Sequence, residues 1–374
     1  MRIKLGPAVA SLAAAGLVLA GCGVKTNPPL SSSPSQTAAP SPSSTAPPSP
    51  SEPPETRATF QVAGPPRGLG PGVAEALSKD GTSVYASADN PASKEIGCEG
   101  QAAQYLFAVP LDGSLRRLAA ADQKEAIGGN IRRSPDGSKL LITQSCEGFL
   151  AALYVATETG AAITGLHKVA LPTDGEGAYQ NLNAPNWSSD SKTIVAVGSK
   201  VGTEALDVVR IDPATGKVTK LIADSKSIEA AELKHAVLVT VRRDKQIVAG
   251  GIKFQFDGFG VSVDPSSGKL AVFGESGITL VSTDDGAAGA KFEKLTTEVG
   301  HALSWTKSGA GILYFDKDQT LKILFPGRPP VNLQQKAAFG PAFLNPAASR
   351  VVYTRAKKDG QFETPEMAIL DFKP

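Results

Sequence analysis

Four residue types are scarce in this chain: its 374 residues include three Cys, two Met, two Trp and three His. The cysteines stand alone at 22, 98 and 146, so no Cys-x-x-Cys exists, and His167, His235 and His301 are far apart. Zinc wants clustered ligands, usually four, so no metal site is expected. There is no His-Glu-x-x-His, no Gly-x-Ser-x-Gly elbow and no phosphate loop, so neither a catalytic residue nor a cofactor is marked. Asp316-Lys317-Asp318 lacks the glycine and terminal Glu of a calcium loop and reads as a polar turn. Charge of one sign is also lacking. The 38 basic and 36 acidic residues come level once Arg2 and Lys4 are set aside, and no basic run follows. Nucleic acid is therefore not an expected partner.

What is present begins with a long apolar run at the N-terminus. Arg2 and Lys4 precede a small, apolar stretch over 5–19, and Leu19-Ala20-Gly21-Cys22 closes it. This pattern predicts a secretory signal peptide over 1–21, too short for a stable span. The Leu-Ala-Gly-Cys end resembles a bacterial lipobox, which implies cleavage before Cys22 and a diacylglycerol on its sulfur. Acylation by two or more chains holds a protein on a bilayer stably. Residues 22–57 then form a linker that is almost all Pro, Ser, Thr and Ala after Thr26. Such a segment buries too little to offset its ordering entropy and favours extended polyproline II. At about 3.1 Å per residue it reaches on the order of 100 Å, as a stalk or as a linker of no specific role.

Residues 58–374 repeat a unit. Its clearest copy is Ser134-Pro135-Asp136-Gly137-Ser138-Lys139-Leu140-Leu141. Related first turns centre on Ser78-Lys79-Asp80-Gly81, Ser188-Ser189-Asp190-Ser191, Pro265-Ser266-Ser267-Gly268, Thr306-Lys307-Ser308-Gly309 and Asn345-Pro346-Ala347-Ala348. Each precedes a short apolar strand, and Pro, Asp, Ser and Gly are the residues tight turns demand. A second hairpin signal follows most copies, as around Asp112-Gly113 and Asp212-Pro213-Ala214-Thr215-Gly216. Two hairpins make a four-stranded blade, and repetition every ~40–55 residues indicates an all-β single propeller. Six blades are expected, with seven as the alternative. The uncertainty sits between Asp190 and Ser266, where a helix over 227–234 and a hairpin over 236–250 are expected as an insertion or as a degenerate blade. The last unit lacks a fourth strand, which residues 58–63 are expected to supply, closing the ring and hiding its edges.

The Trp-Ser-Pro-Asp-Gly-Lys-x-Leu unit followed by Asp-x-x-Thr-Gly resembles the TolB-type, WD-like propeller repeat. Residues 133–141, 187–194 and 212–216 carry the resemblance. It implies the fold over 58–374 and says little of function, since such propellers serve as interaction proteins, sensor-associated lipoproteins and non-catalytic peptidase domains. The lipobox, stalk and Ala/Gly/Pro-rich composition are similar to actinobacterial lipoproteins.

Cys98 and Cys146, each in a Cys-Glu-Gly triplet of successive units, form an even pair for a disulfide in an oxidising compartment; two free thiols are the alternative. Trp187 and Trp305 hold the same place in their repeats and are expected to pack between blades. Binding residues are sought on the rim with the longer loops: Glu99, Glu147, Tyr179, Asn181 and Asn183, with Arg132 and His301 near the starts of innermost strands. The expected function is that of a lipoprotein held through Cys22 on the extracytoplasmic face of the cell membrane. Its propeller would bind an envelope protein or polymer without catalysis. Two rivals stand beside it: an enzyme acting on glycans or lactones in the channel, and a small-ligand sensor for a membrane partner.

Overall fold

The computed structural model describes residues 53, 56 and 58–373, except 90–102, 122, 124–126, 147–148, 174–177, 201–205, 224–227, 235–236, 243–244, 250–251, 259, 265–268, 284–289, 298–300, 335–339 and 360–361. The expected signal peptide, Cys22 and nearly all of the linker lie outside the described residues, as do Cys98, Glu99, Glu147 and the side chain of Cys146. Residues 51–374 form one compact unit.

The first strand is β1 (Arg67–Pro71). Blade 1 follows as β2 (Val73–Leu77), β3 (Ser83–Asp89), β4 (Gln104–Pro110) and β5 (Arg117–Leu118). Blade 2 is β6 (Asn130–Arg133), β7 (Lys139–Cys146), β8 (Phe149–Thr159) and β9 (Ala162–Lys168). Blade 3 is β10 (Tyr179–Trp187), β11 (Ile194–Lys200), β12 (Leu206–Ile211) and β13 (Val218–Ile222). Blade 4 is β14 (Ile228–Lys234), β15 (Val237–Arg242), β16 (Gln246–Ala249) and β17 (Ile252–Gln255). Blade 5 is β18 (Gly260–Val263), β19 (Leu270–Gly274), β20 (Gly277–Thr283) and β21 (Ala290–Thr296). Blade 6 is β22 (His301–Trp305), β23 (Ile312–Phe315), β24 (Leu321–Leu324) and β25 (Val331–Gln334). Blade 7 is β26 (Phe343–Leu344), β27 (Arg350–Asp359) and β28 (Phe362–Asp371), completed by β1.

The described strands thus form seven antiparallel four-stranded sheets, so the seven-blade alternative is the one realised rather than six. The expected helix over 227–234 is the strand β14, paired with β15 from Ile228↔Arg242 to Lys234↔Val237. The helical propensity of Ile-Glu-Ala-Ala-Glu-Leu-Lys is overridden by the strand-forming Val-Leu-Val-Thr-Val-Arg beside it. The expected hairpin over 236–250 is present as β15 and β16. Closure occurs in the expected blade but with a later segment: β1 pairs with β28, Arg67 opposite Ile369. Residues 61–63 add only a bridge, Val62↔Phe372. They are held there because Phe60 turns inward at φ 50° and packs its ring edge-on to Phe372, 5.3 Å between centroids.

The core lies between blades. Tyr85, Leu106, Leu140 and Ile142 fill the seam of blades 1 and 2, and Leu153, Trp187, Ile194 and Val209 that of blades 2 and 3. Ile247, Phe256, Leu270 and Val272 join blades 4 and 5. Each such fully buried side chain stabilises by about 1.5–3 kcal/mol relative to exposure. The first strands of successive blades lie side by side (β2 with β6, β6 with β10, β10 with β14, β14 with β18, β18 with β22), which puts them at the axis.

The repeated first turn has one bonding scheme. Ser134 N–H donates to Lys139 O at 2.9 Å, Lys139 N–H returns a bond to Ser134 Oγ at 2.9 Å, and Gly137 N–H donates to Ser134 O at 2.8 Å. Ser134 Oγ–H donates to Asp136 Oδ1 at 2.7 Å, and that oxygen also accepts Ser138 N–H. Ser78, Ser188, Thr306 and Asn345 fill the place of Ser134 in other blades, each accepting a backbone N–H five residues on. The fourth residue takes a left-handed backbone: Gly81, Gly137, Ser191, Gly309 and Ala348 have φ between 53° and 72°. A Cβ at Gly309 would stand 2.2 Å from the Asp264 carboxylate of blade 5, so glycine there serves the packing of turn on turn as well as the dihedral.

Candidate functional site: the axial channel

The first strands enclose a cavity of about 610 Å³, a size typical of small-ligand sites. Its described walls come from blades 1, 2, 3, 5, 6 and 7, and it runs from the inner strands to the short-turn rim at Lys79, Asp136 and Lys307. The polar lining includes Glu75, Asn130, Arg132, Asn186, Ser262 and Ser304. The apolar lining includes Trp187, Trp305, Phe273 and Phe343.

Trp187 and Trp305 are oriented by the same device. Trp187 Nε1–H donates to Arg132 O at 3.2 Å, and Trp305 Nε1–H donates to Ser262 O at 3.2 Å. In both blades the indole at the end of the first strand reaches the first strand of the preceding blade. Each N–H is thereby satisfied in the wall; Trp187 is fully buried in the seam behind the lining and Trp305 is 8% exposed. The packing role expected of both residues is confirmed, and they also line the channel.

Glu75 sits in mid-strand within Val73-Ala74-Glu75-Ala76-Leu77. The register of β2 against β3 shifts between Ala74 and Ala76, which makes Glu75 the extra residue of a β-bulge. A bulge re-aims a side chain out of the alternation, and Glu75 lines the cavity while only 7% exposed. Burial pushes its carboxyl up to about 8 from an ordinary 4.5, and a hydrogen bond with Ser87 only partly offsets this. Ser87 Oγ accepts Gly129 N–H at 2.8 Å, leaving the hydroxyl proton for Glu75. At neutral pH Glu75 is largely protonated.

The other charges near the channel are paired or tied. Arg133 Nη2 lies 2.6 Å from Glu158 Oε2 and also donates to Leu77 O at 2.8 Å. Glu158, its side chain 1% exposed, further accepts Tyr85 O–H at 3.0 Å and Lys79 N–H. This clamp locks blade 2 to blade 1 beneath the rim. Burial, then the Glu158 charge and its hydrogen bond, push the Tyr85 hydroxyl far above the usual phenol range. Asp136 is held in its turn: its slight burial would raise it, but hydrogen bonds from Ser134, Ser138 and Ser191 bring it below the usual carboxylate range. Lys307 Nζ donates to Lys79 O at 3.1 Å, linking the rims of blades 6 and 1.

Of the residues singled out from sequence, Arg132 lines the cavity. Tyr179 does not; its hydroxyl donates to Asp207 Oδ2 at 2.8 Å within blade 3. Asn183 is exposed on β10. Asn181 and His301 have their backbones in β10 and β22, and their side chains lie outside the described residues. The cavity reaches the short-turn rim, whereas the longer-loop rim was the expected place. Sequence reasoning passed over Glu75, although one charged residue in an otherwise apolar first strand is a visible signal.

No family model and no curated protein matches the sequence. Solved structures do. An oligogalacturonate lyase in complex with manganese is 11% identical with a TM-score of 0.54, covering 84% of this chain and 95% of that one. The WD40 repeats of RRP9 are 9% identical with a TM-score of 0.51, covering 84% and 98%. TolB from Acinetobacter baumannii is 14% identical with a TM-score of 0.45, covering 79% and 65%. The likeness to the lyase and to the WD40 repeats shows the β-propeller fold and nothing of the chemistry.

Proposed function

We propose that this chain is an exported lipoprotein, held on the extracytoplasmic face of a membrane through acylated Cys22. Its propeller acts as a non-enzymatic module that binds an envelope protein or polymer. The Pro/Ser-rich linker holds the module away from the bilayer. The observation that carries the binding reading is the axial cavity of about 610 Å³, walled by rigid inner strands, mostly apolar, with a few fixed polar groups. Two-carboxylate chemistry is not favoured: among the described lining residues the acids are Glu75, which is buried, and Asp136, which is held by its turn. Of the earlier candidates, Arg132 lines this cavity and His301 remains a proposal for the channel; Glu99, Glu147, Tyr179, Asn181 and Asn183 remain proposals for the opposite rim.

The test uses photo-crosslinking side chains placed in cells at Lys79 or Lys307, on the channel rim, and at Lys220, on the outer strand β13. The same defined partner is expected from both rim positions and not from Lys220. Cys22→Ala is expected to release the protein from the membrane fraction. Crosslinks that are equal from Lys220, or membrane retention of Cys22→Ala, would contradict the corresponding half of the reading.

A further inference from the structure

Among the described residues, no cation contributes to the shift of the channel carboxyl Glu75. The charged groups on the elements around β2 include Arg132, which has an interaction of its own and lines the cavity, and Arg133 of β6, Glu158 of β8, Arg350, Arg355 and Lys357 of β27, and Glu366 and Asp371 of β28, with Arg350 paired to Asp371 at 3.0 Å and Lys357 to Glu366 at 3.7 Å. Arg133 is paired with Glu158 at 2.6 Å and Arg355 with Glu366 at 2.7 Å. Lys79 and Lys307 are exposed at the rim. None of these charges contributes to the shift of Glu75, which comes from burial opposed by Ser87 alone. The carboxyl, hydrogen-bonded to Ser87, therefore lines a largely apolar cavity. Around it the walls carry two indoles whose N–H groups are already bonded, and the rings of Phe273 and Phe343. A carboxyl that can ionise in a cavity also walled by aromatic residues is an environment that suits an ammonium group on a hydrocarbon body.

We propose that the occupant of the channel presents an aliphatic ammonium group to Glu75, its hydrocarbon lying against the aromatic walls. This rests on the channel being the binding site of the proposed function, and it names the chemistry of what binds. The protonated Glu75 of the empty channel gives up its proton to solvent as the cation enters, so one proton is released per ammonium bound. The buried ion pair so formed is retained because each charge supplies the partner the other lacks; replacing either leaves the remaining one uncompensated. A free amine and a lysine side chain of a polypeptide share this chemistry.

The chain carries its own reporter, because its two tryptophans both line the cavity. The intact protein is titrated with n-butylamine, 1-butanol and butyrate while tryptophan emission is followed. Butylamine is expected to bind most tightly. Its affinity should rise about tenfold per pH unit below the Glu75 titration and level off above it, as release of one proton requires. Glu75→Gln is expected to weaken butylamine by about tenfold or more and to remove the pH slope. Glu75→Asp should keep the slope, which separates loss of the acid from loss of the fold. Blocked lysine tetrapeptide against 1,4-diaminobutane then distinguishes a polypeptide source from a free amine, and Glu75-dependent binding of either supports the proposal. Butanol or butyrate binding as tightly as butylamine overturns the ammonium assignment and leaves the channel reading standing. No response to any probe, with partner crosslinks that avoid the rim, overturns both.

Discussion

Blade 4 and blade 2 are built from the same four antiparallel strands and differ at the first turn. In blade 2 the turn is a closed hydrogen-bonded unit around the buried Ser134, with Asp136 capping its backbone. In blade 4 the pairing of β14 and β15 runs up to Lys234↔Val237, leaving only residues 235–236 to connect the strands. A connection that short has no room for the Ser-x-Asp-Gly unit. Strand β6 contributes Asn130, Arg132 and Arg133 to the cavity. Blade 4 shows that strand pairing alone suffices to make a blade.

The comparison is broken most severely at the seam next to blade 2. Trp187 is fully buried, fills the space between blades 2 and 3 and bonds Arg132 O. Trp187→Ala is expected to cost about 3–5 kcal/mol, the usual range for deleting a buried aromatic, read as the shift in a urea unfolding midpoint. The matching Trp305→Ala, at a residue 8% exposed, should cost less. Equal and negligible losses would mean the seams do not hold the ring together.

A smaller effect is expected within the turn. Ser134→Ala removes the Oγ that Lys139 N–H and Asp136 depend on, so unfolding stability should fall by about 1–3 kcal/mol, the cost of leaving buried partners unmatched. Amide exchange should report the loss first at Lys139, whose N–H donates to Ser134 Oγ. No change at Lys139 would reduce the turn chemistry to a sequence habit without structural weight.

The same chemistry decides what could be read in advance. Turns built on Ser134, Ser78 and Ser188 need particular side chains, so they leave a signature, and six blades were visible through it. Blade 4 needs only strand pairing, which leaves no fixed residue, and its β14 carries a helix-favouring composition. The closing strand was misplaced by a few residues because Arg-Gly-Leu-Gly-Pro has little strand character; the free edge of β28 recruits it. The two tryptophans were legible as packing residues because they recur in register. The channel was less so. Glu75 enters it through a bulge, and a one-residue register shift between β2 and β3 has no mark in the sequence. Arg132 was found because it lies near the start of a recognisable first strand, and of the rim candidates that are described, Tyr179 is tied to Asp207 and Asn183 is exposed.

The central claim is that the channel wall holds a buried carboxyl at Glu75 whose charged form is disfavoured by its burial. Its folded value of about 8 lies above the ordinary 4.5, so the folded state holds a proton that the unfolded chain has lost across that interval. The stability this group contributes is full below about pH 4.5, declines as pH rises towards 8 and changes no further above it. Glutamine mimics the protonated form at every pH. The decisive measurement is urea unfolding of wild type and Glu75→Gln at intervals between pH 4.5 and 9. The two should be similarly stable at the acid end, and the variant should become progressively the more stable until the gap levels off above pH 8. Curves that stay parallel throughout would show that Glu75 titrates as an ordinary exposed acid, and the channel as described here would be wrong.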